Sequence, residues 1–251
     1  LGIMTGTMTL GFYTLAFNIS QWPLALVTGT VNAVGLAAFA QALSDDEMLS
    51  RRVSHVMQAA VAVAVPVGML TAALAIPLVA VLYGQQWAPA APLVVVLSGL
   101  ALARVPLDVL GSVVVAGGLS RIYLLLQFLQ FCISIPALII GIHLAGSMGA
   151  AVSQIVVALL VVAPSYLIIV TRRMKVRLRS PAMAVLRTIG IGLLAATGGW
   201  LAGQSVQAAP IRLAVGTVVG LVVYAGLMRW ICRSTTDLLI SRLARPAMGA
   251  S

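Results

Sequence analysis

Hydrophobic residues of this chain fall into long runs that are separated by short polar or Gly/Pro-rich stretches. About 20 mostly apolar residues in a helix cross the hydrocarbon core of a membrane. We predict one transmembrane helix in each of seven runs: Leu10 to Leu43, Val53 to Tyr83, Pro92 to Gly117, Arg121 to Ile142, Gly149 to Thr171, Val185 to Gly203 and Ile211 to Ile231. The first two runs are longer than a bilayer requires, and Pro23, Pro66 and Pro77 can kink or tilt their helices.

The composition strengthens this interpretation. Of the 251 residues, 61% are hydrophobic and only 8% are charged, whereas about a quarter of the residues in a soluble domain are charged. This excludes a water-soluble enzyme, a nucleic-acid-binding module and a secreted disulfide scaffold. The predicted fold class is an all-α polytopic membrane protein.

The basic residues predict the orientation of the helices. All but two of the 15 basic residues follow or end alternate spans, and the exceptions are Arg104 and Arg212. Because basic residues collect in cytoplasmic loops, we expect the N-terminal end to be external and the C-terminus to be cytoplasmic. The same rule accounts for the net charge of +10 without nucleic acid as a partner. Residues 10–231 then form the transmembrane unit, and residues 232–251 form a cytoplasmic tail.

Few residues of the chain can perform covalent chemistry. Asp108 is the only one of the five acidic residues that lies inside an apolar run, and His55 and His143 fall near opposite ends of their runs. No Walker-type phosphate loop and no Gly-x-Ser-x-Gly elbow occurs. We therefore predict no catalytic residue, no metal site and no cofactor, so the protein is not expected to be an enzyme.

Arg104 is the most unusual residue of the chain. It lies about 12 residues into the third run, near the membrane midplane, where a charge costs roughly 2.5 to 3.5 kcal/mol. Asp108 follows one helical turn later and can neutralise Arg104. The two residues either form an internal ion pair or belong to a substrate pathway.

Further polar residues occur within the predicted spans. Asn18 and Gln21 lie in the first span, and Gln127 and Gln130 share one face of the fourth. These amides are candidates to line a substrate cavity together with Arg104 and Asp108, and interhelical hydrogen bonding is the alternative. In the last two spans, Gly199-x-x-x-Gly203 and Gly216-x-x-x-Gly220 predict close helix packing.

Three stretches resemble a known family in the same order along the chain. LGFYTLAFNISQWP (residues 10–23) resembles its LGYYxLAxxxxxxP signature, and LYGQQWAPAAP (82–92) resembles its LLGxxWxPAxP hairpin. Ala101 to Arg104 with Val115 to Gly118 resembles its following helix. Over about Leu10 to Leu160 the chain is therefore similar to Wzx-type polysaccharide flippases of the multidrug/oligosaccharidyl-lipid/polysaccharide exporter superfamily.

The resemblance implies two pseudo-symmetric helical lobes around a cavity that opens alternately to each side. The implied substrate is a polyprenyl-pyrophosphate-linked oligosaccharide, such as an O-antigen, capsule or exopolysaccharide repeat unit, and the implied location is the bacterial cytoplasmic membrane. This chain would be the C-terminal lobe, with residues 1–9 the remnant of the preceding helix. Its partners would be the N-terminal lobe of the same protein, the lipid-linked glycan and membrane lipids.

Three other classes of function were compared with the same residues. A drug/cation antiporter or a lipid II flippase belongs to the same superfamily, but an antiporter is expected to carry more intramembrane acids than Asp108. A membrane-embedded glycan polymerase or ligase normally has large external loops, which are absent from the predicted topology. A non-catalytic membrane scaffold would not require an arginine at the midplane.

The predicted topology can be tested by labelling single cysteines with a membrane-impermeant thiol reagent. In intact cells, Gln85→Cys should react because it lies in an external connection, whereas Ser180→Cys should react only after the cells are opened. Labelling of Ser180→Cys from outside would reverse the orientation.

Overall fold

The computed structural model describes residues 6–30, 35–43, 45–206 and 208–243. Within these ranges the chain is helical and contains no β-strand. The helices are α1 Thr7–Ser20, α2 Trp22–Thr30, α3 Leu36–Ala40, α4 Asp46–Ala73, α5 Ala75–Tyr83, α6 Ala91–Ala116, α7 Ser120–Val157, α8 Ala163–Arg173, α9 Arg179–Gln204 and α10 Ala209–Leu243. A 3-10 turn at Gln85–Ala90 precedes α6, and a π-helical turn at Ala158–Val162 joins α7 to α8.

Local sequence signals explain where several helices begin and end. The carboxylate of Asp45 accepts hydrogen bonds from the backbone N–H groups of Glu47 (2.8 Å) and Met48 (3.2 Å), which caps the N-terminus of α4. The helical runs are interrupted at Gln21 and at Leu74, close to Pro23 and Pro77. A proline ring clashes with the carbonyl group four residues earlier, so these breaks have a direct cause. Pro66, in contrast, lies inside the uninterrupted α4.

Helix α7 contains a reversal of the chain. The backbone leaves the helical conformation at Ala145 (φ −149°) and at Gly146, whose φ of 58° favours glycine. Gly141 and Gly149 pack backbone against backbone, although eight residues of a straight helix would span about 12 Å. Two arms of α7 therefore meet here, as the predicted boundary between the fourth and fifth spans requires.

The structure confirms an all-α polytopic membrane protein. In the described part of the chain, five helical segments are long and apolar enough to cross a membrane: Asp46–Ala73, Gln85–Ala116, Ser120–Arg173, Pro181–Gln204 and Ala209–Trp230. The third of these is 54 residues long and includes the reversal in α7. Helices α1 and α2, with 14 and 9 residues, are each shorter than one span. The number of seven spans remains a prediction.

Helix α6 is the centre of the bundle. It packs against α1 and α2 on one side, α4 on another, and α7 and α8 on a third. Its buried positions carry small or branched side chains, including Ala101, Val105 and Val109. The two arms of the α9–α10 hairpin pack on each other, and α9 also packs along α4. Helix α6 is consequently held on several sides, and this fixes the position of any residue that it presents to a cavity.

The ends of the bundle separate basic from uncharged connections. At one end the backbone N–H of Arg177 donates to Ser50 Oγ at 3.1 Å, and Gly117 lies against Met174. At the other end the rings of Phe12 and Trp87 meet edge to face, with their centroids 5.6 Å apart. The loops that carry basic residues thus lie side by side, as alternating spans require.

The α9–α10 hairpin confirms the predicted close packing. A Cβ atom on Gly199 would lie 2.5 Å from the carbonyl oxygen of Gly216, and one on Gly216 would lie 2.9 Å from that of Gly199. These distances are too short for any side chain. The two glycines therefore allow the helix backbones to touch.

Gly199→Ala should destabilise the protein by about 1 to 3 kcal/mol, because the extra methyl group forces the two backbones apart. Gly190→Ala in the same helix is the matched control, since a Cβ there meets no atom within 4 Å. It should be neutral or slightly stabilising. Thermal unfolding in detergent measures both variants, and equal melting temperatures would contradict the proposed packing.

Candidate substrate cavity

A cavity opens beside the middle of α6. Its volume is about 210 Å³. Helix α6 contributes Arg104, Leu107, Asp108 and Gly111, and the first arm of α7 contributes Tyr123, Gln127 and Gln130. The remaining lining residues are Leu24, Ala158, Val162 and Tyr166. The structure therefore brings together four of the six residues that the sequence indicated: Arg104, Asp108, Gln127 and Gln130.

The periodicity of α6 explains its share of the lining. Arg104, Asp108 and Gly111 follow the spacing i, i+4 and i+7, so they lie on one face of the helix. Arg104 is close to the centre of the 26-residue helix and is half-buried, whereas Asp108 is exposed. At this depth an exposed carboxylate is tolerated only where it faces water or protein. The cavity supplies that environment.

Of the two alternatives, the internal ion pair between Arg104 and Asp108 is not formed. Within the described part of the chain the one ion pair joins Arg51 to Glu47, and Arg104 has neither an ion-pair partner nor a hydrogen bond there. Two physical reasons account for the absence of the pair. Helical side chains lean toward the N-terminus of their helix, which directs Arg104 away from Asp108. An acidic residue placed four residues after a basic one is also the weaker orientation for such a pair.

The cavity therefore offers one basic and one acidic side chain, one helical turn apart on α6. Neither of them forms an ion pair within the described residues.

The wall opposite α6 is neutral and polar. Gln127 Nε2 donates a hydrogen bond to the hydroxyl oxygen of Tyr123 at 3.2 Å. Gln130 lies one turn further along the same face of α7, as the spacing predicted. Tyr166 of α8 faces Tyr123, with the ring centroids 6.5 Å apart and the planes inclined by 49°.

Tyr123, Tyr166 and Gly111 line the cavity although they were not predicted from the sequence. Tyr123 precedes Gln127 and Gln130 at the helical spacing i, i+4 and i+7, and this pattern could have identified it. Gly111 extends the face of Arg104 and Asp108 in the same way. Tyr166 lies on another helix, and only the three-dimensional fold brings it to the cavity.

Asn18 and Gln21 lie outside this cavity. Helix α1 packs with Leu15, Ala16 and Ile19 in a buried cluster, while Asn18 is exposed and Gln21 occupies the break between α1 and α2. The segment reaches the cavity through Leu24 instead.

Among the described residues there is no group of three or more His, Cys, Asp or Glu side chains that could hold a metal ion. The cavity therefore offers one guanidinium, one carboxylate, two amides and two phenol groups to a ligand.

Comparison with known proteins relates the N-terminal part of the chain to polysaccharide biosynthesis. The sequence model of a family described as "Polysaccharide biosynthesis protein" matches residues 1–92. The chain is similar to polysaccharide biosynthesis proteins over this part. The match covers α1 to α5 and the 3-10 turn that contains Trp87. No curated protein and no solved structure gives a significant match.

Access of water to the cavity can be measured by thiol labelling in a background in which Cys132 and Cys232 are replaced by serine. Asp108→Cys should react with N-ethylmaleimide, because the thiolate that reacts forms only in contact with water. Val95→Cys, on the same helix and 46% exposed at an apolar surface, should remain unreactive in the membrane. Equal reaction at both positions would show that the cavity is no wetter than the lipid-facing surface.

Proposed function

We propose that this chain forms part of a flippase that moves polyprenyl-pyrophosphate-linked oligosaccharides across the bacterial cytoplasmic membrane. The observation that carries the proposal is the guanidinium group of Arg104. It lies at the middle of the central helix, faces a cavity and has no ion-pair partner among the described residues. The match to a polysaccharide biosynthesis family supports the same substrate class.

Arginine suits the pyrophosphate part of such a substrate. Its guanidinium group remains charged and can donate two parallel hydrogen bonds to phosphate oxygens. A charge at this depth is costly, and an anionic headgroup in the cavity offsets that cost. Binding therefore stabilises the headgroup at the place where the membrane is least favourable to it.

The size of the cavity limits what this chain binds alone. A volume of about 210 Å³ is below the roughly 300 to 1,000 Å³ of cavities that enclose drug-sized ligands. It accommodates a headgroup but not a whole oligosaccharide. A second helical lobe of the same protein would complete the cavity, and the two lobes would expose it alternately to each side.

The polyprenyl tail requires no polar cavity. The first arm of α7 presents exposed apolar side chains, among them Leu124, Leu125 and Phe128. Membrane lipids and the tail would cover such surfaces while the headgroup crosses. The mechanism involves no covalent step, so the protein would act as a transporter and not as an enzyme.

We place the end that carries the basic loops in the cytoplasm, following the positive-inside rule. Arg177 and Ser50 belong to this end, and the Trp87 turn belongs to the external one. The N-terminal end of the chain would then be external and the C-terminus cytoplasmic.

Asp108 favours a second candidate function. An exposed carboxylate without an ion-pair partner in the described part of the chain is the kind of group that coupling ions use in transporters. In a drug/cation antiporter, Asp108 would be indispensable. In the flippase, it would repel the phosphate and so assist its release.

Variants of Arg104 and Asp108 in the full-length protein distinguish the two functions. Arg104→Ala should reduce glycan export roughly 10- to 100-fold, the loss expected for charge-assisted hydrogen bonds. Arg104→Lys should recover little, because lysine lacks the planar fork. Asp108→Asn should be milder. Export is measured as surface glycan divided by the amount of protein in the membrane.

Arg51→Ala is the matched control, since Arg51 forms an exposed ion pair with Glu47 at 2.7 Å and such pairs contribute little. A larger defect for Asp108→Asn than for Arg104→Ala would support the antiporter. Full export by an Arg104→Ala, Asp108→Ala double variant would contradict both functions.

A further inference from the structure

We infer that the wall formed by Tyr123, Tyr166 and Gln127 recognises the first sugar of the lipid-linked substrate, next to the phosphate held by Arg104. This inference rests on the proposed function. It assigns a sugar-binding role to two tyrosines and identifies the residues that would determine which glycan is accepted.

The cavity has two chemically different walls. Both of its charged groups, Arg104 and Asp108, come from α6. The opposite wall offers only uncharged hydrogen-bonding groups, the phenols of Tyr123 and Tyr166 and the amides of Gln127 and Gln130. Phosphate is recognised by charge, whereas sugar hydroxyl groups both donate and accept hydrogen bonds and carry no charge. Phenol and amide groups match the sugar because they also donate and accept.

The hydrogen bonds in the wall leave capacity for a ligand. Gln127 donates to Tyr123 at 3.2 Å, which fixes the ring and leaves the Tyr123 hydroxyl hydrogen available to an incoming oxygen. The Tyr166 hydroxyl has no hydrogen-bond partner within the described residues. Both rings also present apolar faces, against which the C–H face of a sugar ring can pack.

The walls are offset along the membrane normal. Gly111, which lies against both tyrosines, is seven residues beyond Arg104 in α6, a distance of about 10 Å along the helix axis. The tyrosines are therefore nearer the end of the bundle that carries the basic loops. A phosphate at Arg104 would direct the sugar attached to it toward Tyr123 and Tyr166.

Gly111 provides the space for this arrangement. A Cβ atom at this position would lie 3.1 Å from a ring carbon of Tyr123 and 3.5 Å from the hydroxyl oxygen of Tyr166. A methyl group at Gly111 would therefore force the Tyr123 ring to shift by a few tenths of an ångström. The absence of a side chain at Gly111 thus allows both tyrosines to occupy these positions.

The experiment measures binding of three lipids to the purified full-length protein in nanodiscs: polyprenyl pyrophosphate, polyprenyl-pyrophosphoryl-glucose and polyprenyl-pyrophosphoryl-N-acetylglucosamine. The readout is a ratio of two affinities. The first is the affinity for whichever of the two sugar-bearing lipids binds more tightly, and it is divided by the affinity for polyprenyl pyrophosphate. Wild type should bind a sugar-bearing lipid more tightly. Tyr166→Phe and Tyr123→Phe should each lower the ratio roughly two- to tenfold, the range expected for one neutral hydrogen bond, and leave the affinity for bare pyrophosphate unchanged.

Tyr224→Phe is the matched control, because the Tyr224 hydroxyl donates to the carbonyl oxygen of Ala62 at 2.8 Å, away from this cavity. It should leave the ratio unchanged. A second comparison uses glycines of α6. Gly111→Ala should lower the ratio, whereas Gly99→Ala should not, since a Cβ at Gly99 meets no atom within 4 Å.

The failure of this inference differs from that of the proposed function. One result is that wild type gains no affinity from either sugar, or that the tyrosine variants lose affinity for all three lipids equally. The sugar-binding role of Tyr123 and Tyr166 would then be wrong, and the phosphate site at Arg104 would stand. If wild type binds none of the lipids, or if Arg104→Ala binds bare pyrophosphate as tightly as wild type, the proposed function itself is wrong.

Discussion

The free energy of a fixed charge inside a membrane governs this structure. Arg104 lies at the centre of α6 and has no ion-pair partner in the described ranges. Such a charge is tolerated only if the protein encloses it and gives it access to water or to an anion. The position of α6 among its neighbours satisfies the first condition, and the cavity of about 210 Å³ satisfies the second.

The remaining architecture supports this arrangement. Glycine pairs allow close approaches elsewhere in the bundle, at Gly199 with Gly216 and at Gly141 with Gly149. The second of these pairs closes the reversal of α7, which brings the helix that carries Tyr166 back toward α6. The π-helical turn between α7 and α8 contributes Ala158 and Val162 to the lining, and such turns are frequent at functional sites. The same helices therefore form the packed interior of the bundle and the candidate substrate cavity.

Much of the fold could be predicted from the sequence because the signals are local. The length of apolar runs predicts helices, and the breaks near Pro23 and Pro77 follow from the geometry of proline. The spacing of Arg104 and Asp108 allowed an internal ion pair as one of two alternatives, and the pair is not formed because spacing does not determine the direction in which a side chain leans.

The candidate site was only partly predictable. Periodicity relates residues on one helix, so Gln127 could be grouped with Gln130, but it does not relate α6 to α8. Tyr166 consequently had no signal in the sequence. Asn18 showed the opposite problem, because a polar residue in an apolar run can face away from the cavity. Only the packing of α1 on α6 decides where it lies.

We propose that Arg104 binds the phosphate of a lipid-linked substrate. Solid-state NMR can measure the distance between phosphorus in polyprenyl pyrophosphate and ¹⁵N in the arginine guanidinium groups of the full-length protein in lipid bilayers. If Arg104 does so, a phosphorus–nitrogen pair should lie at about 4 Å, as expected from bidentate hydrogen bonds, and it should disappear in Arg104→Lys. A contact that persists in this variant, or no contact in the wild type, would contradict it.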